Sequence, residues 1–140
     1  MQIPKLVQRI ITRQMTEFCS VAFSDIMPPD SCLKFKVKHD RVTLHVEMQS
    51  LQSPDLVVRD HFAQFRYDDA IWHCHTISKK NGRNRWVVLE DLTPTENLTK
   101  MLRDAHTVLV EPFLSSCFEL VLKELQNITT PAPIRNEGVA

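Results

Sequence analysis

The sequence over residues 33–47, LKFKVKHDRVTLHVE, decides the fold more than any other stretch of the chain. Apolar and polar side chains alternate on both sides of His39-Asp40. This alternation is typical of antiparallel strands with one buried face. A two-residue loop at His39-Asp40 pairs Phe35 with Leu44 and places every apolar side chain of the two runs on one face. Residues 33–47 therefore predict a β-hairpin.

Two more predicted strands, residues 62–67 and 70–77, follow this hairpin and are joined by Asp68-Asp69. Asp favours tight turns because its side chain hydrogen-bonds to nearby backbone. We therefore expect a second hairpin with Asp68-Asp69 as its loop. The pairs that follow from this loop are Phe65 with Trp72 and Ala63 with Cys74.

A fifth strand is predicted over residues 85–89, after Asn81-Gly82, because Asn and Gly tolerate the positive φ of a hairpin turn. Its register has two solutions. A strict two-residue turn puts Trp86 and Trp72 on opposite faces of the sheet, whereas a longer loop puts them together.

Helices are predicted on both sides of the strands. Residues 3–19 have apolar side chains at helical spacing, with Lys5, Arg9 and Arg13 one turn apart on the other side. A second helix is predicted to begin at Thr93, where Glu96 completes a capping box, and a third at Pro112.

These elements predict an α+β fold: a five-stranded antiparallel meander sheet with one N-terminal helix and two C-terminal helices. We expect residues 1–128 to form a single domain. Residues 129–140 are poor in large apolar side chains and contain two prolines, so we expect a disordered tail.

One group of residues is similar to a known family. The segment 63–67 (AQFRY), Trp72, Trp86 and the helix over 98–102 resemble the core of a small bacterial family, the three-thousand-twenty-fourth domain of unknown function. The resemblance covers roughly residues 32–118. It implies a bacterial origin and a shared fold, and it supplies no activity and no functional residues.

Composition excludes several functions. Gly82 is the only glycine before the tail, which excludes Gly-rich phosphate loops, dinucleotide fingerprints and the nucleophile elbow of hydrolases. The chain has no net charge, but residues 1–89 carry 13 basic and 9 acidic residues, against 4 and 8 in residues 90–140. Attraction between the two parts is one explanation of this asymmetry.

The sequence indicates a cytoplasmic protein. The N-terminal apolar residues are interrupted by basic ones, so no signal peptide is expected, and no apolar run is long enough to span a membrane. Four scattered cysteines without a CxxC pair are expected to be reduced.

Basic residues surround the predicted Asn81-Gly82 turn. They are Lys79, Lys80, Arg83 and Arg85. Such a hairpin can contact phosphates, so we hypothesise a polyanion-binding site, with nucleic acid as one ligand. The alternative is a solvated turn. Trp86, the nearest ring, is expected to belong to the core.

His73 and His75 share a strand face, which Cys74 does not, so a Cys–His nucleophilic pair is excluded here. A two-residue turn at Asn81-Gly82 brings Glu90 opposite His73. Two histidines and a carboxylate are a ligand set for zinc or iron. The alternative is a half-buried polar strand face with a His–Glu contact.

These observations favour a non-enzymatic binding or accessory protein with a macromolecular partner, either a protein or a nucleic acid. We expect no cofactor and no membrane partner. The alternative function is a small-ligand-binding or metal-dependent enzyme that uses the His73/His75 strand face. Stoichiometric metal in the purified protein would distinguish the two functions.

Overall fold

The computed structural model describes residues 3–21, 31–49, 55–80 and 82–129. Its elements confirm the α+β class, with a single antiparallel sheet in the strand order β1-β2-β3-β4-β5. The elements are α1 Lys5–Val21, β1 Ser31–Lys38, β2 Arg41–Gln49, β3 Val57–Asp68, β4 Ile71–Lys80, β5 Arg83–Val88, α2 Leu98–Ala105, a π-helical segment His106–Val110, and α3 Glu111–Thr129.

The first hairpin has the predicted register. Phe35 lies opposite Leu44, and His39 takes a positive φ of 56° in the turn. Leu44 and Val42 are fully buried on the face that this register predicts.

The second hairpin has a different register from the one predicted. Its turn residues are Asp69 and Ala70, both with positive φ (53° and 64°), as type I′ turns require. The turn thus lies one residue later than the Asp68-Asp69 loop. The predicted pairs Phe65–Trp72 and Ala63–Cys74 are therefore wrong. The observed pairs are Tyr67 with Trp72, Phe65 with Cys74 and Ala63 with Thr76.

The fifth strand follows the strict two-residue turn. Lys80 lies opposite Arg83, and Gly82 has the positive φ (76°) for which glycine suits the turn. Trp86 consequently lies opposite Ile77, on the face away from Trp72. The expectation that Trp86 belongs to the core is wrong, because its partner strand presents the other face to the helices.

A register shift divides β3 into two parts. Leu44 pairs with Ala63, but the next residue, His45, pairs with His61, so Phe62 is an extra residue on β3. Such a bulge bends a strand and increases its twist. Beyond it, β3 no longer pairs with β4, whose ladder with β3 begins at the pair Ala63–Thr76.

The core lies between the helices and one face of the sheet. Its strand residues include Val42, Leu44, Phe65 and Trp72, all less than 4% exposed. Ile3, just before α1, also belongs to the core, and the helices contribute Ile11, Met15, Leu98, Met101, Leu102, Ala105, Val110, Leu114 and Cys117. Each fully buried aliphatic side chain stabilises the fold by about 1.5–3 kcal/mol.

The first helix has a narrower buried stripe than predicted. Lys5, Arg9 and Arg13 are exposed as expected, but Leu6 and Ile10 are also 71% and 51% exposed. The helix therefore buries only the side chains on the stripe that faces the sheet, and it leaves Leu6 and Ile10 exposed to solvent.

The two predicted C-terminal helices are joined into one. The first begins at Leu98, not Thr93, and the side chain of Asn97 caps it by accepting the Lys100 N–H. The π-helical segment connects it directly to α3. Pro112 is the second residue of α3 and follows the π-helical segment within this continuous helix, where proline has no backbone N–H to donate to the preceding turn.

The predicted tail, residues 129–140, lies outside the described residues except for Thr129, the last residue of α3. None of the helices in the described part of the chain is long and apolar enough to cross a membrane.

Candidate functional site

The face of the sheet opposite the core, which we call the open face, is positively charged. In the strand register it holds seven Lys or Arg residues and two acids. The basic residues are Lys34, Lys36, Lys38, Arg41, Arg59, Arg66 and Lys79, and the acids are Glu47 and Asp68. As far as the chain is described, the core draws no strand residue from this face. Seven of the 13 basic residues in residues 1–89 thus lie on one surface.

Four of the basic or titratable side chains form one row across four strands. Lys38 lies opposite Arg41, Arg41 opposite Arg66, and Arg66 opposite His73. We call these four residues the cationic row. Like charges directly opposite one another are destabilising in a sheet. The row is therefore a place where an anion would relieve repulsion.

Two arginines at the centre of the row are held by neighbouring side chains. Arg41 Nε donates to Asp40 Oδ1 at 2.9 Å, and Arg66 Nε donates to Gln64 Oε1 at 2.7 Å. Gln64 is only 5% exposed, and its Nε2 donates to Thr43 Oγ1 at 3.0 Å. The pKa of Arg66 is lowered, first by burial and then by the charge of Arg41. Gln64 thus orients Arg66 without neutralising it.

His75 lies beside this network, opposite Gln64. Its side chain is buried and its Nδ1 has no hydrogen-bond partner. Burial lowers the pKa of His75, and the nearby charge of Arg66 lowers it further. His75 is therefore a neutral neighbour of the cationic row at physiological pH.

The far end of the open face contains the one strongly compensated acid among the described residues of this face. Glu47 accepts from Lys34 Nζ at 3.1 Å, His45 Nε2 at 3.1 Å and Arg59 Nε at 3.0 Å. These three hydrogen bonds, led by that of His45, lower the pKa of Glu47 to about 2. The rings of His45 and His61 lie 4.9 Å apart, and burial lowers the pKa of His61. The charges of Lys34 and Arg59 are thus offset here, whereas in the cationic row the acidic partner is Asp40, which pairs with Arg41.

The residues of the predicted polyanion site lie together on the β4–β5 hairpin but not on one face. Lys79 is exposed on the open face, opposite Asn84. Arg83 and Arg85 are exposed on the other side of the same hairpin, and the backbone of Lys80 pairs with that of Arg83. Among the described residues, none forms a salt bridge with Lys79, Arg83 or Arg85. The hairpin is therefore a basic edge of the open face.

The predicted metal ligands are only partly brought together. His73 and His75 share the open face, opposite Arg66 and Gln64. Glu90 is exposed beyond the end of β5, which stops at Val88 opposite His75. In the described ranges, no group of three or more His, Cys, Asp or Glu residues is arranged to hold a metal ion. Cys74 lies on the opposite face, as predicted, and burial raises the pKa of its thiol to about 12.

Sequence reasoning missed the cationic row and the position of Trp86. The row depends on the pairing of β2 with β3, and the residues between these strands contain no short turn signature that fixes the register. The signal available in the sequence is the alternation of side chains between the two faces of each strand. Lys38 and Arg41 flank the first turn, and this alternation directs both away from the apolar face.

The comparisons with known proteins identify a family. The family model described as Domain of unknown function (DUF3024) matches residues 3–107. No curated protein and no solved structure matches the chain. The match covers more than half of the chain, from α1 through the sheet to α2, and the chain belongs to this family.

Proposed function

We propose that this member of the DUF3024 family is a non-enzymatic binding protein that holds a polyanion, a single-stranded nucleic acid, on the open face of its sheet. The observation that carries the proposal is the cationic row, in which Arg41 and Arg66 face each other with Lys38 and His73 beside them. Basic side chains supply most of the non-specific affinity for nucleic acid because they release counterions.

The length of the cationic row suits an extended nucleic-acid strand. Neighbouring strands lie about 4.8 Å apart, so a row across four strands spans about 14 Å. That length allows contacts with more than one phosphate. Phosphate contacts position a nucleic acid without reading its sequence, so we expect weak sequence preference.

Trp86 favours a single strand over a duplex. It is half-buried on the open face, opposite Ile77 and next to the pair of Lys79 with Asn84. Unpaired bases stack on aromatic side chains, and each such contact contributes about 1–3 kcal/mol. A sheet that combines a basic row with an accessible ring therefore supports binding of bases as well as phosphates.

The basic hairpin extends the same surface. Lys79 lies on the open face, and Arg83 and Arg85 lie on the other side of the same hairpin. Their long side chains can contact a nucleic-acid strand where it leaves the sheet. The same proposal places the protein in the cytoplasm of a bacterium. Its four cysteines, Cys19, Cys32, Cys74 and Cys117, are all free, which is typical of a reducing compartment.

The experiment compares three variants of equal or similar charge change. The first replaces Lys38, Arg41 and Arg66 with Gln, the second replaces Lys79, Lys80, Arg83 and Arg85 with Gln, and the third replaces Lys5, Arg9 and Arg13 on α1 with Gln. Fluorescence anisotropy measures the binding of labelled oligonucleotides, single-stranded DNA, single-stranded RNA and duplex, at about 50 and 200 mM salt.

We expect the first variant to bind single strands at least about tenfold more weakly than the parent and with a shallower salt dependence. The second should lose part of the affinity, and the third should bind as the parent does. No binding by the parent, preference for duplex, or equal losses in the first and third variants would contradict the proposal.

A further inference from the structure

We propose that the cleft between the diverging parts of β3 and β4 binds one nucleotide, a base together with its phosphate. This inference rests on the proposed function and locates a specific subsite next to the open face. It adds contacts to a base, which the cationic row alone does not offer.

The cleft results from the bulge at Phe62. Over residues 57–61, β3 pairs with β2 on one side, while its ladder with β4 starts only at Ala63–Thr76. Residues Ile77 to Lys80 of β4 pair with β5 instead. Within the described residues, the facing sides of β3 and β4 therefore have no strand partner beyond this point. The Thr76 hydroxyl closes the apex by donating to the Phe62 carbonyl at 3.1 Å.

The space between the strands has a volume of about 330 Å³, at the lower end of the range of about 300–1,000 Å³ for small-ligand sites. A wedge of this size that closes at Thr76 suits one compact group better than an added strand of several residues. Its lining includes Arg59, Asp60, Phe62, Lys79, Asn84 and Phe113.

The lining supplies the three kinds of contact that a nucleotide needs. The rings of Phe62 and Phe113 are stacked with centroids 4.0 Å apart and form an apolar wall. The carboxylate of Asp60 and the amide of Asn84 can hydrogen-bond to a base edge. Lys79, which forms no salt bridge among the described residues, and Arg59, whose Nε pairs with Glu47, are exposed at the rim on the open face. A phosphate there is held by side-chain charge, which fits a chain without a glycine-rich loop.

The test titrates the full chain, labelled with nitrogen-15, with nucleoside 5′-monophosphates, the matching nucleosides, and inorganic phosphate, followed by amide chemical shifts. We expect saturable shifts at residues 59–62 and 76–79 with monophosphates, and weaker binding of nucleosides and of phosphate alone. Saturation with phosphate alone at equal affinity, shifts confined to the cationic row, or no shifts at all would overturn the inference.

Two variants separate this site from the proposed function. Asn84→Leu should weaken monophosphate binding by about tenfold, as expected when one hydrogen bond in a charged site is removed. Arg41→Gln with Arg66→Gln should weaken oligonucleotide binding but leave monophosphate binding within about twofold, since these residues lie outside the cleft. If the parent binds oligonucleotides and no monophosphate, the cleft inference fails alone. If it binds monophosphates and no oligonucleotide, the proposed function fails and a free nucleotide is the ligand of the cleft.

Discussion

Arg41 and Arg66 lie directly opposite each other on neighbouring strands, on the face of the sheet away from the core. Each has one acceptor, Asp40 for Arg41 and the neutral amide of Gln64 for Arg66. Burial and the charge of Arg41 both lower the pKa of Arg66. This pair therefore works against stability, and the anion proposed above would offset the repulsion.

The first prediction concerns Arg41→Gln. The substitution removes a cross-strand repulsion and also the partly exposed ion pair with Asp40, each of about 0–1 kcal/mol and of opposite sign. We expect the free energy of unfolding in urea to change by less than about 1 kcal/mol. The affinity for single-stranded nucleic acid should nevertheless fall, and the salt slope should decrease by about 1.

Arg9→Gln is the matched control, since Arg9 is exposed on α1 and the variant has the same net charge. If both variants lose affinity equally, the binding depends on total charge and not on the open face.

The second prediction concerns the turn of the second hairpin. Ala70 has a φ of 64°, a conformation that costs a residue with a Cβ about 1–2 kcal/mol. Glycine avoids this cost but loses more backbone entropy on folding. We therefore expect Ala70→Gly to raise the free energy of unfolding by about 0.5–1 kcal/mol. Ala105→Gly, in the buried last position of α2, should lower it by about 1 kcal/mol. Destabilisation by Ala70→Gly would contradict the assigned turn.

The third prediction concerns the contact between α3 and the bulge of β3. Phe62 is 3% exposed and stacks on Phe113. We expect Phe62→Ala to lower the free energy of unfolding by about 3–5 kcal/mol. A double-mutant cycle with Phe113→Ala should give a coupling of about 0.5–1.5 kcal/mol. Leu120→Ala, at a position 61% exposed on the same helix, should change stability by less than about 0.5 kcal/mol. A coupling near zero would show that α3 does not pack at this point.

The first hairpin was predictable because two signals agree. The alternation of apolar side chains and a loop of two residues select one register, which is the one found for Phe35 and Leu44. The second hairpin lacks this agreement. A loop at Asp68-Asp69 and one at Asp69-Ala70 keep the same faces buried, because the register changes by two positions. Burial therefore does not distinguish them, and the Phe65–Trp72 pairing was wrong.

The candidate site was less predictable, because it depends on contacts between distant parts of the chain. The basic hairpin is visible as a cluster in sequence, whereas Arg41 and Arg66 are brought together by the β2–β3 ladder. The bulge at Phe62 shifts that ladder by one residue, and it also opens the cleft. The one local sign of the bulge is that Phe62 and Ala63 are adjacent apolar residues, which breaks the alternation that Phe65 and Tyr67 continue.

The fourth prediction concerns stability at mildly acidic pH. Burial lowers the pKa of His75, so the unfolded chain binds a proton at a higher pH than the folded chain. The contribution of neutral His75 to the free energy of unfolding should therefore be fully present above the unfolded pKa of about 6.5, and it should be lost as pH falls below that value. His75→Gln removes this titration, so unfolding measured in urea at about pH 7.5 and 5.5 should show a smaller loss than in the parent. His39→Asn, in an exposed turn, should retain the loss of the parent. An unchanged pH dependence in His75→Gln would contradict the burial of a neutral imidazole.

The last prediction concerns the pH dependence of binding. His61 and His75 lie on the open face, and each imidazole gains a positive charge when it is protonated. A bound polyanion stabilises the protonated form, so binding should strengthen as pH falls from about 8 to about 5.5. The pKa values of His61 and His75 are lowered, so in the free protein these histidines are charged only at the acidic end of this range. A bound polyanion raises their pKa, so in the complex they become charged at a higher pH.

Anisotropy titrations across this range should show steadily increasing affinity for single-stranded DNA. In the variant His61→Gln, at an exposed position, the increase should be smaller. Affinity that is independent of pH in the parent would place the nucleic acid away from the open face.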